Sequence, residues 1–343
     1  MRRMFVFMAS MLVVFSFARA QQSGYEVLDK VTLGGDGGWD YLNADPASGR
    51  VYISRGSHVM VMDMQSKKVV GDIPNTNGVH GIALATDLGK GYISDGRDTA
   101  VTVFDIKTLN VLKSIKIKGV NPDAILYDPF SRRVFTFNGR TSDATAIDAV
   151  GDSVVGTVPL TGKPEFAQSD ANGKIFVNIE DKSTITEFDP KTLKVLADWS
   201  IAPGEEASGL AIDREHHRLF AVCSNKLMVV MNYDSGTVVT TVPIGEGPDA
   251  AGFDPEKQYA FSSNGEGTLT IVREESPYKF TVFDNVKTQR GARTMSVDIS
   301  SHKIYLSTAE FGKAPEPTAD KPRPRPPMLP GSFTIVIVGH PML

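Results

Sequence analysis

The 343-residue chain carries 36 basic against 40 acidic residues, 31 Gly, 20 Pro and a single Cys, for a formal net charge of −4. Prolines spread through the whole chain exclude a long helical bundle, and one cysteine excludes a disulfide framework, paired-thiolate zinc sites and iron–sulfur ligation. The near-balanced charge offers no basic footprint for nucleic acid, while an apolar share of 41% supports a substantial core.

Residues 1–20 read as a secretory signal rather than as structure. Arg2 and Arg3 precede the apolar run Met4–Phe17, and Ala18-Arg19-Ala20 supplies the small-x-small pattern before Gln21. That run is too short to span a bilayer, and no later stretch approaches the length needed. The expected mature chain, 21–343, is therefore an exported, soluble monomer without a membrane span, in the periplasm or the medium. It carries 33 basic against 40 acidic residues, a balance of −7.

Tyr25–Leu33 reads as an isolated strand. From there a unit recurs about every 42 residues. Leu42–Pro46 followed by Arg50–Ser54 returns as Leu126–Pro129 with Arg133–Phe135, as Ala211–Asp213 with Arg218–Phe220, and as Val297-Asp298 with Lys303–Tyr305. Weaker copies fall at Ala85 with Lys90–Tyr92, at Asp170 with Lys174–Phe176, and at Asp254-Pro255 with Tyr259. Each copy continues as an alternating run that ends in Asp, a turn with Ser or Thr three residues on, and a β-branched run. Val59–Asp63, Val101–Asp105 and Ile185–Asp189 are examples. Asp and Ser/Thr side chains at that spacing bond nearby backbone N–H groups and favour a tight hairpin.

Four short strands per unit and seven units predict an all-β, seven-bladed β-propeller of four-stranded antiparallel blades. The last unit has three clear strands, so Tyr25–Leu33 is expected to complete it and close the ring by pairing with Phe333–Val338. The one departure from the repeat is a proline-rich insert, 313–330. It cannot pair as a central strand and has local charge +2, so it is expected to lie across the channel mouth.

The units resemble the YVTN-repeat, or YncE-like, family of bacterial β-propellers. The matching pieces are the Pro-x-x-φ-x-φ starts Pro122–Asp128 and Pro248–Asp254, the Gly-Lys-φ-Tyr/Phe-φ steps Gly89–Ile93 and Gly173–Val177, and the Val-x-Val-x-Asp-x-x-Thr run Val101–Thr108. The resemblance covers about 25–339. It implies an exported bacterial propeller and transfers no catalytic residue.

In such a ring the loops leading into the innermost strands surround the channel mouth, the default binding site. Reading the position five residues before each inner-strand anchor gives Asp40, His80, Asp123, Glu165, Ser208, Asp249 and Arg293. The primary expectation is a binding module that takes a small molecule or protein through this face, with no cofactor. The alternative is a metal-dependent, lactonase-like hydrolase. In it Asp123, Glu165 and Asp249 hold Ca2+ or Zn2+, His80 acts as general base, and Arg293 orients an anionic substrate.

A second layer is expected after the second strands: Arg55 and His58, Asp95 and Arg97, Asn138 and Arg140, Glu180 and Lys182, Asn264 and Glu266, Glu310 and Phe311. Cys223 reads as a small buried residue. His216, His217 and His302 fall in turns on the opposite face and are expected to be solvated. No phosphate loop, nucleophile elbow or His-Glu-x-x-His pair occurs.

Overall fold

The computed structural model describes residues 23–341, apart from 36, 317, 319–323 and 325. The signal segment 1–20 lies outside the described residues. Among the described residues, twenty-eight strands form seven separate four-stranded antiparallel sheets. Blade 1 is β2–β5 (Leu42–Asp45, Arg50–Ser54, Val59–Asp63, Val69–Ile73). Blade 2 is β6–β9 (Val79–Ala85, Lys90–Asp95, Ala100–Asp105, Val111–Lys116). Blade 3 is β10–β13 (Pro122–Asp128, Arg133–Asn138, Asp143–Asp148, Ser153–Pro159), and blade 4 is β14–β17 (Pro164–Ser169, Ile175–Ile179, Thr184–Phe188, Val195–Ser200). Blade 5 is β18–β21 (Ala207–Asp213, Arg218–Cys223, Leu227–Asn232, Thr237–Pro243), and blade 6 is β22–β25 (Pro248–Asp254, Tyr259–Asn264, Thr268–Ser276, Lys279–Lys287). Blade 7 takes β26–β28 (Thr294–Asp298, Lys303–Thr308, Thr334–Gly339) and borrows β1 (Glu26–Thr32), which pairs antiparallel with β28 as the outer strand. The ring thus closes by the strand pairing expected, and no blade is left with three strands.

The repeat works through two devices. Asp at the third-strand end caps the hairpin to the outer strand: Ser66 N–H donates to Asp63 at 2.7 Å, Thr108 N–H to Asp105 at 2.7 Å, and Thr192 N–H to Asp189 at 2.9 Å. The aromatic of the second strand is buried between blades, as Tyr52, Tyr92, Phe135, Phe176, Phe220 and Tyr305. In blade 6 the pairing register puts Phe261, not Tyr259, in that place. Gly252 faces Phe261 as Asn43 faces Tyr52 and Ala211 faces Phe220. Tyr259 occupies the Arg/Lys position at the start of the strand, opposite Asp254, so this copy keeps the phase of the repeat.

Between inner strands the backbones approach closely. A Cβ on Gly209 of blade 5 would stand 2.5 Å from Ala251 N of blade 6, a contact no side chain tolerates.

Candidate functional site

In five blades the inner strand begins with a register shift: between Val79 and Ile82, Pro122 and Ile125, Pro164 and Ala167, Ala207 and Leu210, and Pro248 and Ala250. His80, Asp123, Glu165, Ser208 and Asp249 sit inside these bulges, which re-aim a side chain away from the alternation of the strand. In blades 1 and 7 the strand starts only after Asp40 and Arg293. Side chains of the second strand then fix the ring from the neighbouring blade. Ser94 donates to Asp123 O at 2.5 Å, Asn178 to Ser208 O at 3.0 Å, and Ser263 to Arg293 O. These buried polar residues were not singled out from sequence. Their signal was a Ser or Asn interrupting an otherwise apolar strand.

The ring residues gather in three groups. His80 Nδ1 lies 2.6 Å from Asp40 Oδ2 and 3.4 Å from Asp123 Oδ1. Glu165 is drawn instead to Lys163, at 3.0 Å, which also pairs with Glu180. Asp249 faces Arg293 Nε at 3.3 Å, and Ser208 donates to Pro248 O at 3.2 Å. The acid–imidazole group therefore combines Asp40, His80 and Asp123. Of the expected metal trio Asp123, Glu165 and Asp249, only Asp123 belongs to it.

Crowding of carboxylates in a partly buried ring shifts their ionisation. Burial pushes Asp123 up to about 6 against the pull of His80, and Asp249 up to about 6 against that of Arg293. Burial, with the facing Asp123 charge, pushes Glu165 up to about 7. Burial alone would depress His80, but the Asp40 bond and the surrounding carboxylate charges outweigh it and raise the imidazole. A raised imidazole keeps its proton to a higher pH than a free one. Its ring lies against Gly96, where a Cβ would stand 2.8 Å from Cδ2 and Nε2.

Two aromatics missed from sequence fill the axis. The column after the ring residues reads Tyr41, Gly81, Ala124, Phe166, Gly209, Ala250 and Thr294, two large side chains among five small ones. Tyr41 of blade 1 meets Phe166 of blade 4 across the channel, centroids 5.4 Å apart. Burial, and then the charges of Asp123, Glu165, Asp40 and Asp249, hold the Tyr41 hydroxyl well above its usual range. Tyr41 and Phe166 also line the channel cavity of about 360 Å³.

Beside the ring, between blades 1, 6 and 7, lies a second cavity of about 520 Å³. Trp39 and Phe311, centroids 6.2 Å apart, supply its aromatic wall, Arg290 and Arg293 its cations, and Asp40 its acid. Phe311 pairs with Met328, Gly312 N–H donates to Pro327 O at 2.9 Å, and Pro326 lines the cavity, so the two ends of the proline-rich insert meet at the mouth. Most of the insert's charged residues, Asp320, Lys321, Arg323 and Arg325, lie outside the described residues.

The second layer is largely structural. Arg55 is fully buried; its guanidinium donates to Gly34 O and Gly35 O at 2.9 and 3.1 Å and lies 3.8 Å above the Phe333 ring. It pins the glycine-rich loop that carries Trp39 and Asp40. Asn138 and Asn264 are buried and donate to Thr145 and Thr270 of their own blades, each at 3.0 Å. Cys223 is buried, and burial pushes its thiol up to about 12, which makes it inert. The turn-face histidines are not simply solvated: His216, His217 and His302 each meet an acid, respectively Asp213 at 2.8 Å, Asp234 at 2.6 Å and Asp254 at 2.6 Å.

The fold defines the class: a seven-bladed β-propeller with a polar channel mouth. No family model and no curated protein sequence matches the chain. Among solved structures it is similar to a chain described as Kuenenia stuttgartiensis hydrazine synthase, with a TM-score of 0.68 at 15% identity, over 86% of this chain and 96% of that one. At that identity the likeness is one of fold.

Proposed function

We propose that the protein is an exported propeller of the YVTN-repeat type, periplasmic or extracellular, that binds a small amphoteric molecule at its channel mouth. The observation that carries the reading is the second cavity, which is lined together by Arg290, Arg293 and Asp40 and by the aromatic pair Trp39 and Phe311. A ligand with an anionic group for the arginines and an amine for the crowded carboxylates would find a partner for each in this cavity. Trp39 and Trp199 are the only tryptophans, so a Trp199→Phe protein reports on the mouth through Trp39 emission alone. Titration with free amino acids should change that emission saturably. Matched simple carboxylates and simple amines should act more weakly. Equal responses to all three would contradict the amphoteric class.

A second reading is a metal-dependent hydrolase. It is favoured by one observation, that donor atoms of Asp40, His80 and Asp123 all lie within 4.8 Å of one another. In it the two carboxylates and the imidazole would hold Ca2+ or Zn2+. Elemental analysis separates the readings. Stoichiometric metal that is lost in Asp123→Ala supports the hydrolase, and a metal-free protein whose thermal stability ignores chelator contradicts it.

A further inference from the structure

On the face opposite the mouth, blade 6 reaches over blade 5. Strands β24 and β25 are nine residues each, the longest in the molecule among the described residues, and their hairpin docks on Arg218. The guanidinium of Arg218 donates to Pro277 O at 2.8 Å and lies 5.2 Å from the Tyr278 ring. This overhang brings Glu274 of β24 against the Asp213–His216 turn of blade 5. His216 Nδ1 lies 2.8 Å from Asp213 Oδ2 and 3.0 Å from Glu274 Oε1.

The geometry points to a binding site for a divalent first-row transition metal, formed by Asp213 and His216 of blade 5 and Glu274 of blade 6. Three observations carry this. First, two carboxylates converge on one imidazole Nδ1, which carries at most one proton to share between them. Second, the side chain of Glu274 is 1% exposed, and neither of its oxygens accepts a hydrogen bond among the described residues. An ionised carboxylate in that state is costly, and a cation at the centre would serve all three donors at once. Third, Arg218 is no substitute. It is buried beside the cluster but gives its donors to Pro277 O, His216 O and His217 O, with no ion pair to either acid.

The spacing also fits. Metal–ligand bonds of about 2.0–2.2 Å set adjacent donor atoms about 2.9–3.5 Å apart, and both observed separations lie within about 0.1 Å of that range. The side chain of His216 is 29% exposed, so the open side of the cluster faces solvent, where water would complete the coordination. Because the ligands come from two blades, metal bound here ties neighbouring sheets together and stabilises the native ring over the unfolded chain.

The test is equilibrium dialysis of the purified protein against low-micromolar Zn2+, read by elemental analysis. It is run in a His80→Asn background so that the mouth triad contributes nothing. The expected result is one bound equivalent and a raised thermal midpoint, with both lost in Glu274→Gln and in His216→Asn. Circular dichroism of the metal-free variants checks that they are folded, and His216→Asn, which alters a half-exposed group, carries the test if Glu274→Gln does not fold. No bound zinc in the His80→Asn protein, or an equivalent that survives the substitutions, overturns the proposal.

Discussion

Two clusters of the same composition, two carboxylates and one imidazole, stand on opposite faces of one ring, and they differ in what surrounds them. At the mouth, the side chains of Asp40, His80 and Asp123 are 29, 28 and 15% exposed, open to water and to a cavity with its own cations and aromatics. On the turn face, Asp213 and Glu274 are each 1% exposed and are enclosed by the blade 6 hairpin. The same three residue types therefore suit different tasks. The open cluster can exchange partners with a passing molecule, while the closed one is a fixed joint between two blades. Burial, not composition, sets the distinction.

The largest effect expected from breaking this comparison is on stability. His216→Ala leaves two buried carboxylates facing each other and should cost about 1–3 kcal/mol near pH 8, measured by denaturant unfolding. His80→Ala, whose acids are 29 and 15% exposed rather than 1%, should cost less, about 1 kcal/mol or below. The difference should shrink at pH 5, because burial and the facing Asp213 charge raise Glu274, which then takes up a proton instead of standing as an uncompensated charge. Equal losses at pH 8 would remove the contrast.

A pH profile sharpens it from the mouth side. Asp123 and Asp249 are raised to about 6 and Glu165 to about 7, so the folded ring binds protons that the unfolded chain has already released above about pH 4. Their contribution to stability is complete below the unfolded values and is lost as pH rises through 6 to 7. His80, also raised, acts in the same direction. The thermal midpoint should therefore fall between pH 4 and 7, and Glu165→Gln should flatten the upper part of that fall. An unchanged slope in Glu165→Gln would show that the carboxyl is not raised.

A smaller and more local effect is expected of Gly96→Ala. The added methyl would stand 2.8 Å from the His80 ring, so the imidazole must swing away from Asp40. Its titration, followed by NMR, should return toward the ordinary histidine range with little change in global stability.

The ring of seven blades, its closure by β1 and the seven mouth positions were legible in the sequence, because Asp-turn chemistry and the 42-residue spacing repeat in phase. What escaped depends on contacts between blades, which a repeat pattern does not encode. The bulges that aim His80 and Asp249 inward, the Ser94 and Asn178 bonds to the next blade, and the meeting of Tyr41 with Phe166 across the channel all join residues far apart in sequence. Arg55 looked like a mouth cation because it follows a strand, yet the glycine loop folds back over it. Glu274 carried no signal at all, since its role arises only where a hairpin extension overhangs the neighbouring blade.

The channel mouth is proposed as a binding site for a small amphoteric molecule. Trp39 emission of the Trp199→Phe protein, titrated with free amino acids, tests it most directly. The expected result is a saturable change that is abolished by Arg293→Ala and by Asp40→Asn. Absence of any saturable change, or a change that survives both substitutions, would contradict it.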